Sequence, residues 1–130
     1  MKAKYLLVVS TAAVVGVGLL GPMPVRADSA AGEKLFKSRC ANCHSLTPGL
    51  SSIAPDLTDV VGRKAGTLKD YKYSEALRNA DYVWTTEKLQ EWLSSPHNVV
   101  PETEMTFPGL KSAAERTDVV DFLKQRTSKK

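Results

Sequence analysis

The sequence has 130 residues, 42% of them hydrophobic and 25% charged, with a formal net charge of +4. This length accommodates one small domain. The positive charge does not indicate nucleic-acid binding, because three of the bases lie in an N-terminal segment that we predict to be removed. The remainder has 15 basic and 14 acidic residues, a formal charge of +1. It contains no basic stripe of the kind that binds nucleic acid, so we expect no nucleic-acid partner.

The N-terminal segment has the three parts of a secretory signal peptide. A basic start with Lys2 and Lys4 is followed by a mostly apolar run over residues 5–20 and by the small-residue exit Val-Arg-Ala at 25–27. The apolar run is shorter than the about 20 residues that a spanning helix needs, so an uncleaved membrane anchor is the weaker alternative. We predict an exported protein, cleaved near Ala27. Residues 1–27 are then the signal peptide and residues 28–130 the single domain.

The first half of this domain predicts two helices separated by a long loop. Asp28 or Ser29 can cap a first helix that runs to about Arg39. Residues 44–73 are rich in Ser, Thr, Pro and Gly and lack helical periodicity, which predicts a loop. A short second helix follows over residues 74–79.

The second half predicts two further helices and a second loop. A third helix begins at Thr85 or Thr86 and ends at Pro96. Residues 97–111 are punctuated by prolines and a glycine, which predicts a loop. The capping box at 112–115 (Ser-Ala-Ala-Glu) opens a last helix. The expected core positions are Leu89, Trp92 and Leu93 in the third helix and Val119, Phe122 and Leu123 in the last. No segment is predicted to be a strand, so the fold class is all-α.

Two long loops leave such a domain with little apolar surface on its helices. Loops without structure of their own are uncommon in compact domains unless something holds them. Small domains also often need a further stabilising element, such as a disulfide or a metal, in addition to their hydrophobic core. A large, flat, apolar cofactor at the centre would supply the missing core, so we expect the loops to wrap around one.

The motif Cys40-Ala-Asn-Cys43-His44 is the attachment motif of c-type haem. Two thiols three positions apart can each form a thioether with one vinyl group of the porphyrin, and the adjacent imidazole can bind the iron. The chain has no other cysteine, and a disulfide across two residues would constrain the unfolded chain little. We predict one covalent haem, held by Cys40 and Cys43, with His44 as the proximal iron ligand.

The motif is also compatible with a redox pair, a zinc site or a chance occurrence. A thioredoxin-like redox pair would need a neighbouring βαβ unit, which the pattern does not show. A zinc site built from Cys40, Cys43, His44 and His97 has suitable ligand types, but adjacent Cys43 and His44 would have to converge on one ion. A chance occurrence would leave the two thiols and the imidazole without a shared role.

The second iron ligand can be argued from the methionines. Met1 and Met23 fall in the predicted signal peptide, so only Met105 remains in the domain. It lies in the second loop between prolines, and a methionine–histidine pair raises the haem potential, as suits an electron carrier. Two alternatives remain: Met105 only fills a gap in the core, or His97, the other imidazole of the chain, is the ligand.

The chain resembles the class I cytochromes c, which are mitochondrial and periplasmic bacterial electron carriers. The resemblance extends from Gly32 to Arg126 and rests on several motifs in the right order besides the haem motif. They are Gly-Glu-Lys-Leu-Phe at 32–36, Ala-Pro-Asp-Leu at 54–57, Gly-Arg-Lys-Ala-Gly at 62–66, Val-Trp-Thr at 83–85, Pro-Glu-Thr-Glu-Met-Thr-Phe-Pro-Gly-Leu at 101–110 and Glu-Arg-Thr-Asp at 115–118. The implied fold has three main helices and long loops wrapped around one covalently bound haem.

The resemblance also implies roles for single residues. The iron-binding sulfur falls on Met105, which together with His44 fills both axial positions, and His97 falls on a surface position. Pro55 falls on the proline whose carbonyl accepts a hydrogen bond from the proximal imidazole. The residues implied near a haem propionate are Tyr73 and Trp84 as hydrogen-bond donors, Arg63 as the base that offsets the charge, and Thr103 as a hydroxyl on the same side.

By the same resemblance the protein is a single-electron carrier of the periplasm, not an enzyme, and we expect a monomer. The implied partners are a quinol–cytochrome c oxidoreductase, a terminal oxidase, a photosynthetic reaction centre or a periplasmic dehydrogenase. The alternative from another class is a small peroxidase or gas-binding haem protein with an open distal site. Glu102 and Glu104 depart from the family, which usually has glycine and lysine there and a ring of lysines at the haem edge. We therefore expect weaker steering toward acidic partners.

Overall fold

The computed structural model describes Gly21, residues 27–50 and residues 53–127. All but two residues of the predicted signal peptide lie outside this part, so its cleavage stays a prediction. Within the described part, no helix is both long and apolar enough to cross a membrane. Helices are the only regular elements there, apart from one antiparallel bridge between Lys64 and Val83. The predicted all-α class is confirmed.

Five helices occur in the described residues, and three of them have more than two turns. They are α1 (Ser29–Arg39), α2 (Glu75–Arg78), α3 (Thr86–Ser94), α4 (Pro96–Val99) and α5 (Ala113–Thr127). The four predicted helices correspond to α1, α2, α3 and α5. Their boundaries agree within one or two residues because each begins at a side chain that can cap it.

Helix α1 begins where the sequence places its cap. The Asp28 Oδ1 atom accepts hydrogen bonds from the N–H groups of Ala30 and Ala31, at 3.0 and 3.2 Å. These bonds satisfy two of the donors that a helix start leaves unpaired. At the other end, Lys37 and Arg39 stand in the last turn, where positive charge is favourable.

The predicted second loop contains a helix that we did not expect. We predicted a loop from residue 97 onward, and this prediction is wrong for its first residues because Pro96–Val99 form α4. Proline suits the first turn of a helix, since its fixed φ is helical and its missing N–H would have no partner there. Pro96 therefore ends α3 and begins α4, which closes with a 2.9 Å bond from the Val100 N–H to the Pro96 carbonyl.

Helices α1 and α5 pack against each other. The rings of Phe36 and Phe122 lie 5.6 Å apart, and the backbone N–H of Asp28 donates to the Asp118 carboxylate at 2.7 Å. Gly32 stands at the contact, where a Cβ would collide with the Asp118 carbonyl and lie 2.9 Å from the Phe122 Cβ. Only a residue without a side chain permits this approach of the two helices.

Helix α3 completes the helical core by packing on α5. The Thr85 hydroxyl accepts a hydrogen bond from the Lys88 N–H at 3.1 Å and so caps α3. The Ser112 hydroxyl accepts one from the Glu115 N–H at 3.3 Å before α5, as the capping box predicts. The six core positions predicted in α3 and α5 are buried, namely Leu89, Trp92, Leu93, Val119, Phe122 and Leu123.

The loop between α1 and α2 is held partly by backbone bonds to the segment before α3. The Gly62 and Ala65 N–H groups donate to the Trp84 and Tyr82 carbonyls at 2.9 and 3.0 Å, and the Trp84 N–H donates to the Arg63 carbonyl at 2.8 Å. The two loops also contribute buried side chains to the core, namely Val60, Ala65, Val100 and Leu110. Our expectation that the loops have little but a cofactor to pack on was therefore too strong.

Candidate functional site

The cysteine–histidine motif forms one tight turn directly after α1. Cys40 is the last cap residue of the helix, and its N–H donates to the Phe36 carbonyl at 2.8 Å. The N–H groups of Cys43 and His44 both donate hydrogen bonds to the Cys40 carbonyl, at 3.1 and 2.9 Å. No disulfide joins the two cysteines. The turn fixes the backbone of both cysteines and the histidine in one compact unit, from which two thioether bonds and one iron bond to a single cofactor can be made.

Burial controls the chemistry of the first thiol. Desolvation, helped by the neighbouring Cys43, raises the pKa of Cys40 to about 11. Such a thiol stays protonated at neutral pH when no metal is bound, whereas redox-active cysteines react as thiolates. Across the described residues, no three His, Cys, Asp or Glu side chains gather in a way that could hold a metal ion. Neither the redox pair nor the zinc site is supported by this geometry.

The His44 imidazole is oriented by a backbone carbonyl. Its Nδ1 lies 2.7 Å from the Pro55 oxygen. A carbonyl can only accept, so Nδ1 carries the hydrogen and Nε2 keeps a lone pair. Burial lowers the pKa of His44, although the bond to Pro55 acts in the opposite direction. The imidazole is therefore neutral at physiological pH, which is the form that binds a metal.

Arg63 points inward, toward carbonyl groups of its own loop. Its Nη1 donates to the Thr58 carbonyl and its Nη2 to the Asp56 carbonyl, both at 3.0 Å. The Nε–H group is buried and has no hydrogen-bond partner within the described part of the chain. A buried guanidinium with an unused donor fits an anionic acceptor, such as a haem propionate.

Tyr73 lies within electrostatic reach of this guanidinium, and Trp84 is bonded to the Arg63 backbone. Each exposes only 8% of its surface, and the backbone N–H of Trp84 donates to the Arg63 carbonyl at 2.8 Å. Burial raises the pKa of Tyr73, and the positive charge of Arg63 partly offsets this rise, so the two groups are within electrostatic reach. The structure thus brings Arg63 and Tyr73 together, as the resemblance implies for a propionate site, and buries Trp84 on the backbone next to Arg63.

The second loop carries Thr103 and Met105. Thr103 is 6% exposed, and its hydroxyl accepts a hydrogen bond from the Met105 N–H at 3.3 Å. The Met105 side chain is partly buried and packs against the same core cluster as Cys40. His97, in contrast, is exposed, with its Nδ1 3.5 Å from the Pro101 carbonyl. Of the two candidate distal ligands, Met105 is thus the one in contact with the protein interior.

Sequence reasoning missed Asp56, which the structure shows as a buried carboxylate in this region, 6% exposed. Its two oxygens accept hydrogen bonds from the Thr58 N–H at 3.1 Å and the Gly49 N–H at 3.5 Å. Its charge also contributes to the raised pKa of Tyr73. The Asp-Leu-Thr sequence contained a signal, because an aspartate often bonds the backbone N–H two residues ahead and so stabilises a turn.

The chain is similar to known proteins over most of its length. The family model Cytochrome c matches residues 29–127. Cytochrome c of Ginkgo biloba is 41% identical over 102 residues, which are 78% of this chain and 90% of that protein. Cytochrome c of Euglena viridis is 42% identical over 97 residues, which are 75% of this chain and 95% of that protein. The solved structure of cytochrome cH from Methylobacterium extorquens is 37% identical and superposes with a TM-score of 0.70, covering 76% of this chain and 99% of that one.

Proposed function

Because this chain belongs to the cytochrome c family, we propose that it carries single electrons with one haem c whose iron is bound by His44 and Met105. Cytochrome c homologues are electron-transfer proteins and not enzymes, and this chain is likewise an electron-transfer protein. Its cofactor is haem c, attached covalently, and Cys40 and Cys43 are the two cysteines present for the attachment.

The hydrogen bond between His44 and Pro55 supports His44 as the proximal ligand more strongly than any other observation. At 2.7 Å it selects the tautomer with a free Nε2 lone pair and also makes that nitrogen a better donor to iron. The lowered pKa of His44 removes the competition from a proton at neutral pH. A histidine in the adjacent position of the attachment turn is thus ready to bind metal without rearrangement.

Met105 is our proposed distal ligand because of its burial and its loop. It packs on the core cluster that contains Trp84 and Trp92, and the Thr103 hydroxyl restrains its backbone at 3.3 Å. A thioether is a weak, polarisable ligand that favours the reduced iron and so raises the potential. His97 offers no comparable position, because its side chain is exposed.

The haem supplies a one-electron couple when bound, and the residues of the chain decide how that couple is used. If His44 and Met105 both bind the iron, no position would remain for a substrate, and the protein would exchange electrons only by contact with partners. Arg63 and Tyr73 would hold a propionate, since the guanidinium has an unused Nε–H and the phenol is kept neutral by burial. A rigid, water-poor surrounding of this kind keeps reorganisation small when the charge changes.

The compartment and the partners complete the proposal. The basic start, apolar run and small-residue exit of residues 1–27 favour export to the periplasm with cleavage near Ala27. The partners would be a quinol–cytochrome c oxidoreductase, a terminal oxidase, a photosynthetic reaction centre or a periplasmic dehydrogenase. Contacts of this class are small and transient, which suits a monomeric carrier that must leave quickly.

Mass spectrometry and absorption spectra of the protein purified from the periplasm test this function. We expect a chain that begins near Asp28 and carries one haem that survives acid–acetone extraction. The oxidised protein should show the weak far-red band of a sulfur–iron bond, and the reduced protein should bind no carbon monoxide. Extractable haem would contradict covalent attachment, and rapid carbon monoxide binding would contradict the proposed ligation.

A further inference from the structure

Two segments beside the proposed iron ligands, residues 40–62 and residues 96–110, contain neither lysine nor arginine, whereas the rest of the two loops carries Arg63, Lys64, Lys69, Lys72 and Lys111. Residues 40–62 and residues 96–110 do include four acids, Asp56, Asp59, Glu102 and Glu104. Glu102 and Glu104 are exposed. The first base after residue 62 is Arg63, whose guanidinium is directed inward to two carbonyls. The charge that these two segments present to solvent is therefore negative.

The first of these loops also exposes large apolar side chains. Within the described residues, three large hydrophobic side chains are exposed, and two of them, Leu50 at 73% and Ile53 at 70%, lie in this loop. Such side chains gain free energy when a partner covers them, about 25 cal/mol for each Å² of apolar surface removed from water. Neighbouring exposed apolar groups with polar surroundings are typical of interaction surfaces.

Tyr71 connects the apolar and the acidic parts. Its hydroxyl donates a long hydrogen bond of 3.4 Å to the Ile53 carbonyl. Its pKa is raised by partial burial and then by the charge of Glu104, so that carboxylate lies within electrostatic reach of the same phenol. Ile53 stands two residues before Pro55, and Glu104 directly precedes Met105. Tyr71 is thus bonded to the first ligand loop and lies within electrostatic reach of the second. We call the surface of Leu50, Ile53, Tyr71, Glu102 and Glu104 the ligand-loop rim.

We propose that the ligand-loop rim docks redox partners whose own contact surface is apolar at its centre and ringed by lysine or arginine. This inference rests on the proposed carrier function, and it gives the chemistry of the partner. The exposed leucine and isoleucine require an apolar counterpart, and the two glutamates attract bases and repel acids. Lys69, Asp70 and Lys72 lie beside Tyr71 in the sequence. With Glu102 and Glu104, the rim and these neighbours therefore have three acids and two bases.

The charge of the rim can be measured with small redox reagents of opposite charge. The probes are hexaammineruthenium, a cation, and hexacyanoferrate, an anion, each reacting with the haem-loaded protein over a range of ionic strength. We expect the reaction with the cation to slow as salt is added and the reaction with the anion to accelerate. The double variant Glu102→Lys with Glu104→Lys should reverse both trends and change each low-salt rate by about 10-fold.

A matched control separates the rim from the overall charge of the protein. Glu87 is also an exposed glutamate, but it lies in the first turn of α3, where Lys124 of α5 is its electrostatic neighbour. Glu87→Lys changes the net charge by the same amount per residue and should leave both salt trends in place. Equal responses of Glu87→Lys and Glu104→Lys would overturn the proposal, because net charge alone would then explain the rates.

The apolar part requires a protein partner as probe. We would use a mitochondrial cytochrome c with a lysine-ringed haem edge and follow electron exchange between the two proteins. Ile53→Ser and Leu50→Ser should slow this exchange several-fold while leaving the rates with both inorganic reagents unchanged. The proposal is overturned if these variants exchange at the wild-type rate, or if sedimentation shows that the rim instead joins two copies of this chain.

The absorption spectrum of each variant keeps this inference separate from the proposed function. All substituted side chains are exposed, so each variant should retain the haem c spectrum and the sulfur–iron band. A wild-type protein without that band would contradict the proposed ligation and, with it, this docking surface. A protein with the band but without opposite salt trends for the two reagents would contradict the docking surface alone.

Discussion

At the scale of single residues, the proposed iron ligands depend on different physical features. His44 is prepared by burial, which keeps the imidazole neutral, and by the hydrogen bond to Pro55, which leaves Nε2 available. Met105 has no titratable group to prepare, so its suitability comes from its partly buried position and the restraint of its backbone by Thr103. The distal bond should therefore be the weaker of the two and the one that substitution affects most selectively.

Met105→Ala should open one coordination position while the haem remains attached. Because the thioether favours reduced iron, its loss should lower the potential and abolish the far-red sulfur–iron band. Carbon monoxide should then bind the reduced protein, and peroxidase-like activity should rise. Spectroelectrochemistry and carbon monoxide titration check these results.

His97→Ala is the matched control, since His97 is the other imidazole in the chain besides His44. The side chain is exposed, so this variant should keep the wild-type spectrum and potential. A loss of the native distal ligand in His97→Ala, with Met105→Ala unaffected, would reassign the ligand to His97.

The Tyr82 hydroxyl should reduce stability. It is buried and has no hydrogen-bond partner within the described part of the chain, and such a group costs about 1–3 kcal/mol. Tyr82→Phe keeps the edge-on contact with the Trp84 ring, 5.0 Å between centroids, and should raise the free energy of unfolding by about 1 kcal/mol. Tyr82→Ala, which removes the ring as well, should lower it.

The same tyrosine predicts a pH effect. Burial, followed by the charge of Glu91, raises the pKa of Tyr82. A group whose pKa is higher in the folded chain contributes stability below its unfolded value, about 10, and loses it as the pH rises through the folded value. Denaturant titrations above about pH 10 should therefore show a shallower loss of stability in Tyr82→Phe than in the wild type. Parallel curves would show that this phenol does not titrate with unfolding.

At the scale of helices, the contact between α1 and α5 depends on one residue without a side chain. Gly32 lies where a Cβ would collide with the Asp118 carbonyl and crowd the Phe122 Cβ. Gly32→Ala raises intrinsic helix propensity, which alone would stabilise α1 by about 1 kcal/mol. The collision is with backbone, which cannot rotate away, so the packing cost should exceed this gain.

We expect Gly32→Ala to lower the free energy of unfolding by about 3 kcal/mol, which is the upper part of the usual cost of overpacking. Lys34→Ala on the exposed side of the same helix should stay within about 0.5 kcal/mol of the wild type. Urea denaturation of both variants is the measurement. A stabilised Gly32→Ala protein would mean that the two helices can separate at little cost.

At the scale of the whole molecule, the core has two sources. One is the set of helix faces on α1, α3 and α5, and the other is the loops, which bury Val60, Ala65, Val100 and Leu110. Arg63 and Asp56, however, also lie inside these loops, and buried charge is costly unless it is satisfied. Asp56 is satisfied by backbone N–H groups, whereas the unused Nε–H of Arg63 would be satisfied by a haem propionate, and the apolar face of the haem would extend the core.

Cys40→Ala combined with Cys43→Ala should therefore leave a largely disordered chain, because the covalent bonds that retain the haem are lost. Circular dichroism and urea titration would show low helicity without a cooperative transition. Cys43→Ala alone keeps one attachment residue and should keep more of the fold. A double variant with native-like cooperative unfolding and no haem would show that helices and loops form a sufficient core by themselves.

Most local features could be predicted from the sequence. The caps at Asp28, Thr85 and Ser112 act on N–H groups two or three residues away, so they are legible from a short window. The haem motif is equally local, because the turn after α1 brings its three side chains together. The short helix at Pro96–Val99 was not predicted because a proline can either end one helix or begin the next. Only the folded backbone shows that Pro96 begins a helix here.

The sequence by itself determined the family, the cofactor attachment and the four helices that have local signals. The tertiary structure decided which groups are buried and what surrounds them. Examples are the neutral state of His44, the unused Nε–H of Arg63, and the position of Tyr71, which is bonded to Ile53 and within electrostatic reach of Glu104. The reason is physical. Helix caps and attachment turns depend on neighbours within one turn of chain, whereas desolvation and electrostatic contact depend on residues that are distant in sequence and adjacent only after folding.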